Sequence, residues 1–277
     1  MNITGKTKLC IIIGDPVEHS LSPAMHNAAY VELGIDHEFV FVASRVRVEN
    51  IKSVVTAMRV MGFRGLTCTV PHKVEVMQYL DKIDPIAKKI GAVNTVVNNG
   101  GKLIGYNTDW LGTVIPLEKY GSLRDKKVAL IGAGGAARAC GFGMVEKGAR
   151  LTIFNRTIEK AEVLARELDS KVQARSLDKV SEEMKGYDII MNATTMGMGK
   201  NEGISPLPKS AIDEHHLVFD AVYSPFETQL LKDATEQGAT IIHGTEMLLH
   251  QGTEQFKLYT GQEAPENVMR EVLMNTK

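Results

Sequence analysis

Apolar positions along the chain fall into short runs separated by longer amphipathic stretches, the pattern of strands alternating with helices. Residues 8–14 predict a first buried strand, residues 39–43 a second strand, and residues 48–61 a helix. A short alternating strand from Gly65 leads to Val70-Pro71-His72-Lys73, where Pro71 predicts the first turn of a helix spanning residues 72–83. Alternating runs at 91–97 and 103–107 flank Asn98-Asn99-Gly100-Gly101 and predict a β-hairpin, with a helix continuing from Asp109 toward Lys119. Beyond the polar connection 121–127, strands are predicted at 128–131, 151–154, 187–191, 217–222 and 240–243. Helices are predicted at 136–147, 160–168 and 227–237, then from Gly244 toward Leu258 and over 265–274. Glycine and proline crowd residues 197–208, a surface loop. The alternation gives the α/β class.

Composition narrows the function. The chain has 277 residues, 44% hydrophobic and 23% charged, with a net charge of -1, which supports a substantial core and gives no electrostatic case for nucleic acid or a membrane surface. Cys10, Cys68 and Cys140 lack metal-ligand spacing, so the expectation is no metal site and a reducing, cytoplasmic compartment. The apolar run at 9–13 is too short for a signal segment, and no stretch approaches the roughly 20 apolar residues of a membrane span.

The strongest chemical signal lies at residues 127–156. The turn Gly132-Ala133-Gly134-Gly135-Ala136-Ala137 follows an apolar strand and opens a helix that Gly148 stops. In that setting it matches the G-x-G-x-x-A dinucleotide fingerprint, whose glycines admit a pyrophosphate onto helix-start N–H groups. At the end of the next strand stands Asn155-Arg156-Thr157, with Lys160 one turn on, where an NAD site carries Asp or Glu. A carboxylate repels a 2′-phosphate and a guanidinium grips it with paired bonds, so NADP is the expected cofactor. The plainer alternative is two solvated cations at a helix start, a placement that costs about 0.3–1 kcal/mol unless an anion is present.

Other candidates lie after the remaining strands. Proline after serine makes Ser22 the expected helix cap with Pro23 the first helical residue, which leaves Ser20 facing the mouth where α/β sheets bind ligands. Lys73 at a helix N-terminus should deprotonate more readily than a free lysine, unless a carboxylate compensates; a solvated lysine is the plainer reading. Asp109, taken alone, reads better as the cap of the helix that continues toward Lys119. Because a complete strand–helix pattern precedes the glycine turn, an N-terminal domain of about 110 residues is expected to hold the substrate.

Taken together, the separated motifs resemble the shikimate dehydrogenase family over essentially the whole chain. They are Ser20-Leu21-Ser22-Pro23 with Met25-His26-Asn27, Thr69-Val70-Pro71-His72-Lys73, Gly91-Ala92-Val93-Asn94-Thr95 and Gly105-Tyr106-Asn107-Thr108-Asp109. The glycine turn, Asn155-Arg156-Thr157, Asn192-Ala193-Thr194 and Met247-Leu248-Leu249-His250-Gln251 complete the set. The resemblance implies reversible, NADPH-dependent reduction of 3-dehydroshikimate to shikimate, a step toward chorismate and the aromatic amino acids. It implies Lys73 and Asp109 as the catalytic pair, and Ser20, Ser22, Thr69, Asn94, Tyr223 and Gln251 as substrate contacts. It assigns the cofactor to Gly132, Ala133, Gly134, Gly135, Ala136, Asn155, Arg156, Thr157, Lys160, Thr194, Gly244 and Met247. The implied fold is an N-terminal α/β substrate domain (1–109 with 245–277) and a Rossmann-type doubly wound NADP-binding domain (110–244), the chain crossing back near Gly244. The expected partner is the small-molecule substrate, and the expected state a monomer or homodimer.

Two departures stand out. Thr67-Cys68 replaces the Asn-Val of many bacterial members, leaving Thr67 to supply one hydroxyl bond. Thr195-Met196-Gly197 replaces a pair of small polar residues, which makes the nicotinamide pocket more apolar. Rival readings are a quinate or dual quinate/shikimate dehydrogenase, with NAD as its rival cofactor, a related dehydrogenase for another substrate, and a non-catalytic NADPH sensor.

Overall fold

The computed structural model describes residues 3–275 and divides into two compact units, residues 3–108 with 251–275 and residues 109–250. The divisions fall between Thr108 and Asp109 and, within the helix Gly244–Thr260, between His250 and Gln251, where the sequence pattern sets them after Asp109 and Gly244.

In the first unit, β1 (Lys8–Gly14), β2 (Phe39–Arg45), β3 (Gly65–Cys68), β4 (Lys82–Ile83), β5 (Thr95–Asn99) and β6 (Lys102–Tyr106) form one sheet in the order β2-β1-β3-β5-β6-β4. β1 runs parallel to β2 and β3, whereas β5 pairs antiparallel with β3 and β6. The hairpin turn is Gly100-Gly101, at φ 61° and 90°, a left-handed pair that glycine adopts without steric cost. Ile13, Leu66, Val96 and Leu103 pack with Ile51, Val55 and Met58 of the helix Ile51–Met61. A second cluster is aromatic: His26 of the helix Ser22–Glu32 stacks on Phe41 at 4.3 Å, and Tyr30 lies 5.3 Å from Phe256. Arg64 fastens the C-terminal segment to this sheet, donating to the carbonyls of Tyr259 (2.7 Å), Leu258 (3.1 Å) and Asn98 (2.9 Å).

The second unit carries β7 (Lys127–Ile131), β8 (Arg150–Asn155), β9 (Gln173–Ser176), β10 (Ile189–Asn192), β11 (Leu217–Asp220) and β12 (Thr240–Ile242). All pairings are parallel, in the order β12-β11-β10-β7-β8-β9. Alternate residues of β7 go to opposite faces: Val128 and Leu130 join Cys140, Met144 and Leu164, while Ala129 and Ile131 join Leu230, Leu231 and Ala234. Burial on both faces is why this strand reads as one unbroken apolar run. The strand order reverses between β7 and β10, the point where doubly wound sheets open a ligand crevice.

Several local expectations need correction. Ser22 is the first residue of its helix and not the cap; the Ser20 hydroxyl instead accepts the Ser22 N–H at 3.3 Å. The expected helix at 72–83 is one α-turn, His72–Glu75, followed by a 3-10 turn, Val76–Tyr79, and then β4. Tertiary bonds break it: the Asp81 N–H donates to Leu103 O at 3.1 Å, and the Asp81 carboxylate accepts the Leu103 N–H at 2.7 Å. So short a helix adds little dipole field at Lys73. Residues 48–50 form a 3-10 turn before the helix Ile51–Met61, and the helix Pro85–Ile90 and β9 have no counterpart in the expected elements. No helix among the described residues is long and apolar enough to cross a membrane.

Candidate active site

In the first unit the chain ends that leave β1 and β3 are stitched together. Thr69 N–H donates to Ile13 O at 2.9 Å and Asp15 N–H to Val70 O at 2.9 Å. Gly14 permits this closeness, because a Cβ there would stand 2.5 Å from Thr69 Cγ2. Ser20 follows on the same loop, half-buried, with Ser22 buried. Lys73 is half-buried and its carbonyl accepts the Val93 N–H at 2.8 Å, tying the lysine turn to the Asn94 segment. Burial pushes the neighbouring Cys68 thiol up to about 12, against the pull of the Lys73 charge, so that cysteine stays neutral and unreactive.

Asn94 sits at the centre of a buried polar network. Its Oδ1 accepts from Thr108 N–H (2.9 Å) and Thr95 Oγ1 (2.8 Å), and its Nδ2 donates to Thr108 Oγ1 (2.9 Å) and Gln251 Oε1 (3.5 Å). Gln255 Nε2 donates to Thr95 Oγ1 at 3.0 Å. The Thr67 hydroxyl bonds the Tyr259 hydroxyl at 2.9 Å and donates to Gln255 Oε1 at 3.4 Å, more than the single bond the sequence suggested. Ser20, Ser22, Thr69, Lys73, Asn94 and Gln251 all belong to this unit. The supporting residues Thr95, Thr108, Gln255 and Tyr259 were missing from the expected site; Thr95 and Thr108, each next to a candidate residue in its motif, were the two with a sequence signal.

In the second unit Asp109 is the first residue of the helix Asp109–Glu118 and is buried; its carbonyl accepts the Thr113 hydroxyl at 3.1 Å. The glycine turn leaves β7 with Gly132 at φ 114°, a conformation in which a Cβ would lie 2.9 Å from Thr194 Cγ2 and 3.0 Å from Ala193 O. The turn therefore lies against the loop that follows β10. Gly134 precedes the helix Gly135–Glu146, and a Cβ on it would meet nothing within 4 Å, so its outer side is open to a ligand. Ala133, Gly135 and Ala136 are half-buried around it. At the end of β8, Asn155 Nδ2 donates to Thr157 O at 2.8 Å and shapes the turn that displays Arg156. Arg138 is occupied by Glu167, whereas Arg156 and Lys160 are exposed and form no ion pair with a described residue. Helix-start N–H groups, an uncovered glycine and two uncommitted cations fit a dinucleotide carrying a third phosphate. The remaining candidates follow β11 and β12. Tyr223 is half-buried and burial raises its phenol above the ordinary range; Gly244 approaches Val222 O so closely that a Cβ would lie 2.4 Å away; Met247 joins the core.

Three family models match: shikimate dehydrogenase substrate binding domain over residues 12–96, shikimate / quinate 5-dehydrogenase over 115–225, and shikimate 5′-dehydrogenase C-terminal domain over 244–274. The chain belongs to the shikimate dehydrogenase family. It is 43% identical over 280 residues to the NADP(+) shikimate dehydrogenase of Methanocaldococcus jannaschii, covering 99% of this chain and 98% of that one. It is similar to a shikimate dehydrogenase solved in complex with NADP+, with a TM-score of 0.92 and 42% identity over 99% of this chain and 96% of that one. The Thermus thermophilus shikimate 5-dehydrogenase, solved with NADP(H) and shikimate, matches with a TM-score of 0.88 and 35% identity over 97% and 99% of the two chains.

One cluster lies outside the expected site. Ligand atoms of Asp213, His215 and His216 converge within 4.8 Å of one another. Hydrogen bonding accounts for His216: its Nδ1 accepts the Asp213 N–H at 3.0 Å and its Nε2 donates to Met184 O at 3.0 Å.

Proposed function

We propose that this protein reversibly reduces 3-dehydroshikimate to shikimate with NADPH, with Lys73 and Asp109 as its acid–base machinery. The observation that carries the reading is that one unit bears a stitched polar mouth with Lys73 and the other a dinucleotide turn with uncommitted cations. When bound, the nicotinamide supplies the hydride. The chain's own residues handle the proton and the geometry. Lys73 gives a proton to the carbonyl oxygen as it becomes an alcohol, and takes it back in the oxidising direction. Asp109 holds the amine and the reacting hydroxyl in register. Ser20 and Ser22 grip the substrate carboxylate, while Thr69, Asn94, Tyr223 and Gln251 hold its hydroxyls. Gly132 to Ala136 cradle the pyrophosphate, with Gly244 and Met247 lining the cofactor's reactive end. Arg156, Thr157 and Lys160 select the phosphorylated cofactor. A cytoplasmic location suits three cysteines that are all buried.

The test is absorbance at the reduced-nicotinamide band with shikimate plus NADP, then quinate plus NAD, in wild type and Lys73→Ala. Wild type should favour shikimate with NADP, and Lys73→Ala should lose about 10²–10⁴-fold in kcat with little change in the shikimate KM. A raised KM at unchanged kcat reduces Lys73 to a binding residue.

A further inference from the structure

Asn192 and Asp220 end neighbouring strands side by side, in register, and both are completely buried. Neither is among the residues assigned to substrate or cofactor. Asp220 Oδ1 accepts from Asn192 Nδ2 at 2.9 Å and from Val222 N–H at 3.0 Å, and its Oδ2 accepts from the Thr228 hydroxyl at 2.6 Å. Asn192 passes the constraint on: its Oδ1 accepts the Thr194 hydroxyl at 2.7 Å and the Thr194 N–H at 3.1 Å, and its Nδ2 also donates to Met196 O at 3.2 Å. The Thr194 hydroxyl in turn accepts the Met196 N–H at 3.0 Å. Gly197 closes the loop against Thr228, with room for a Cβ only 3.2 Å from Thr228 Cβ. Val222, fixed by Asp220, presents the carbonyl on which Gly244 rests.

We propose that Asp220 is a positioning residue for the cofactor site: through Asn192 it fixes the Thr194 hydroxyl and the 193–197 loop, and through Val222 and Thr228 it fixes the segment bearing Tyr223. The proposal rests on the reading of Thr194 as a cofactor contact. The chemistry suits a carboxylate in particular. Its partners are all donors, and only a group that accepts on both oxygens satisfies them without reversing the Thr228 hydroxyl, which already accepts the Leu231 N–H at 3.3 Å. Burial raises Asp220 to about 6, while the bonds from Thr228, Val222 and Asn192 pull it back; no charged group among the described residues offsets that burial. An asparagine in its place would keep the shape and lose the charge-assisted bonds, as would protonation.

The experiment compares wild type, Asp220→Asn and Asn192→Ala, with circular dichroism melting to confirm that each is folded. Asp220→Asn should raise the KM for NADP about fivefold at pH 8, the difference between a charged and a neutral hydrogen bond, with a smaller rise in the shikimate KM carried through the Tyr223 segment. The ratio of mutant to wild-type KM should close toward unity at pH 5, a comparison that cancels titration of the cofactor itself. Asn192→Ala breaks the same chain from its other end and should raise the NADP KM at both pH values. A lowered melting temperature with wild-type KM for NADP in both variants, or an Asp220→Asn KM ratio independent of pH, overturns the proposal. A folded Thr194→Val variant that keeps the wild-type KM for NADP overturns the underlying reading instead, and leaves a different signature.

Discussion

In the first unit the buried polar groups beside the site are all neutral: Thr67, Asn94, Thr95, Gln255 and Tyr259, each at most 5% exposed, joined hydroxyl to amide. In the second unit the corresponding place, where strands give way to loops, is organised around a buried carboxylate, Asp220. Amides and hydroxyls fix direction and hold it at any working pH, since nothing in the network ionises; burial carries the Tyr259 phenol well above its ordinary range. A carboxylate forms stronger bonds, but only while it keeps its charge. The contrast is between a rigid binding surface and one whose grip is conditional.

Removing the hydroxyl at the charged centre should do the most damage. Thr228→Val deletes the donor to Asp220 and the cap on Leu231 N–H, and urea unfolding should show a loss of about 3 kcal/mol at pH 8 that shrinks at pH 5. A loss that is equal at both pH values would remove Asp220's charge from the comparison. Thr95→Val, the matching cut in the neutral network, removes one of the two donors to Asn94 Oδ1 and the acceptor of Gln255 Nε2, and should cost about 2 kcal/mol, equally at pH 5 and pH 8. The smallest effect concerns His26. Its ring is sealed in the aromatic cluster, and burial, outweighing the pull of Gln255, lowers it to about 3. Above about pH 6.5 the folded and unfolded states both carry a neutral ring; as the pH falls through that value only the unfolded state gains the proton, so stability drops by about 1.4 kcal/mol at pH 5.5. Asp220 has the opposite sign. Its folded value of about 6 lies above the unfolded 3.8, so its proton goes first to the folded state and acidification stabilises it. Wild type should therefore change little between pH 7 and 5.5, whereas His26→Phe should gain stability over that range in the same urea assay. Parallel curves for the two proteins would trace the acid response to other groups.

Much of this was visible along the chain, and what was visible was local. Glycines at 100 and 101 specify their hairpin, and the run at 128–131 specifies a doubly buried strand, because turn sterics and two-sided burial act on adjacent residues. The expected boundaries place every candidate residue except Asp109 and Met247 on the unit that holds it. What escaped depends on distant partners. β4 is two residues long and exists through pairing with β6, and β9 (Gln-Ala-Arg-Ser) has no apolar pattern to announce it. Ser22 looked like a cap because proline follows it; the helix began one residue earlier and Ser20 took the bond. Asp220 reads as an ordinary strand-end aspartate until Asn192, 28 residues earlier, is found beside it.

The three carbonyls gathered by Arg64 bear on how the polypeptide is made. Two of them, on Leu258 and Tyr259, lie nearly 200 residues downstream of the guanidinium, and the ring of Tyr259 lies against Gly65. At roughly 5–20 residues per second, a ribosome needs on the order of ten seconds or more to deliver them after the first sheet has emerged. Until then the leading segment waits unfinished, its aromatic pocket lacking Phe256 and Tyr259, while the later glycine-turn unit already has all of its own strands. The piece born first is completed last.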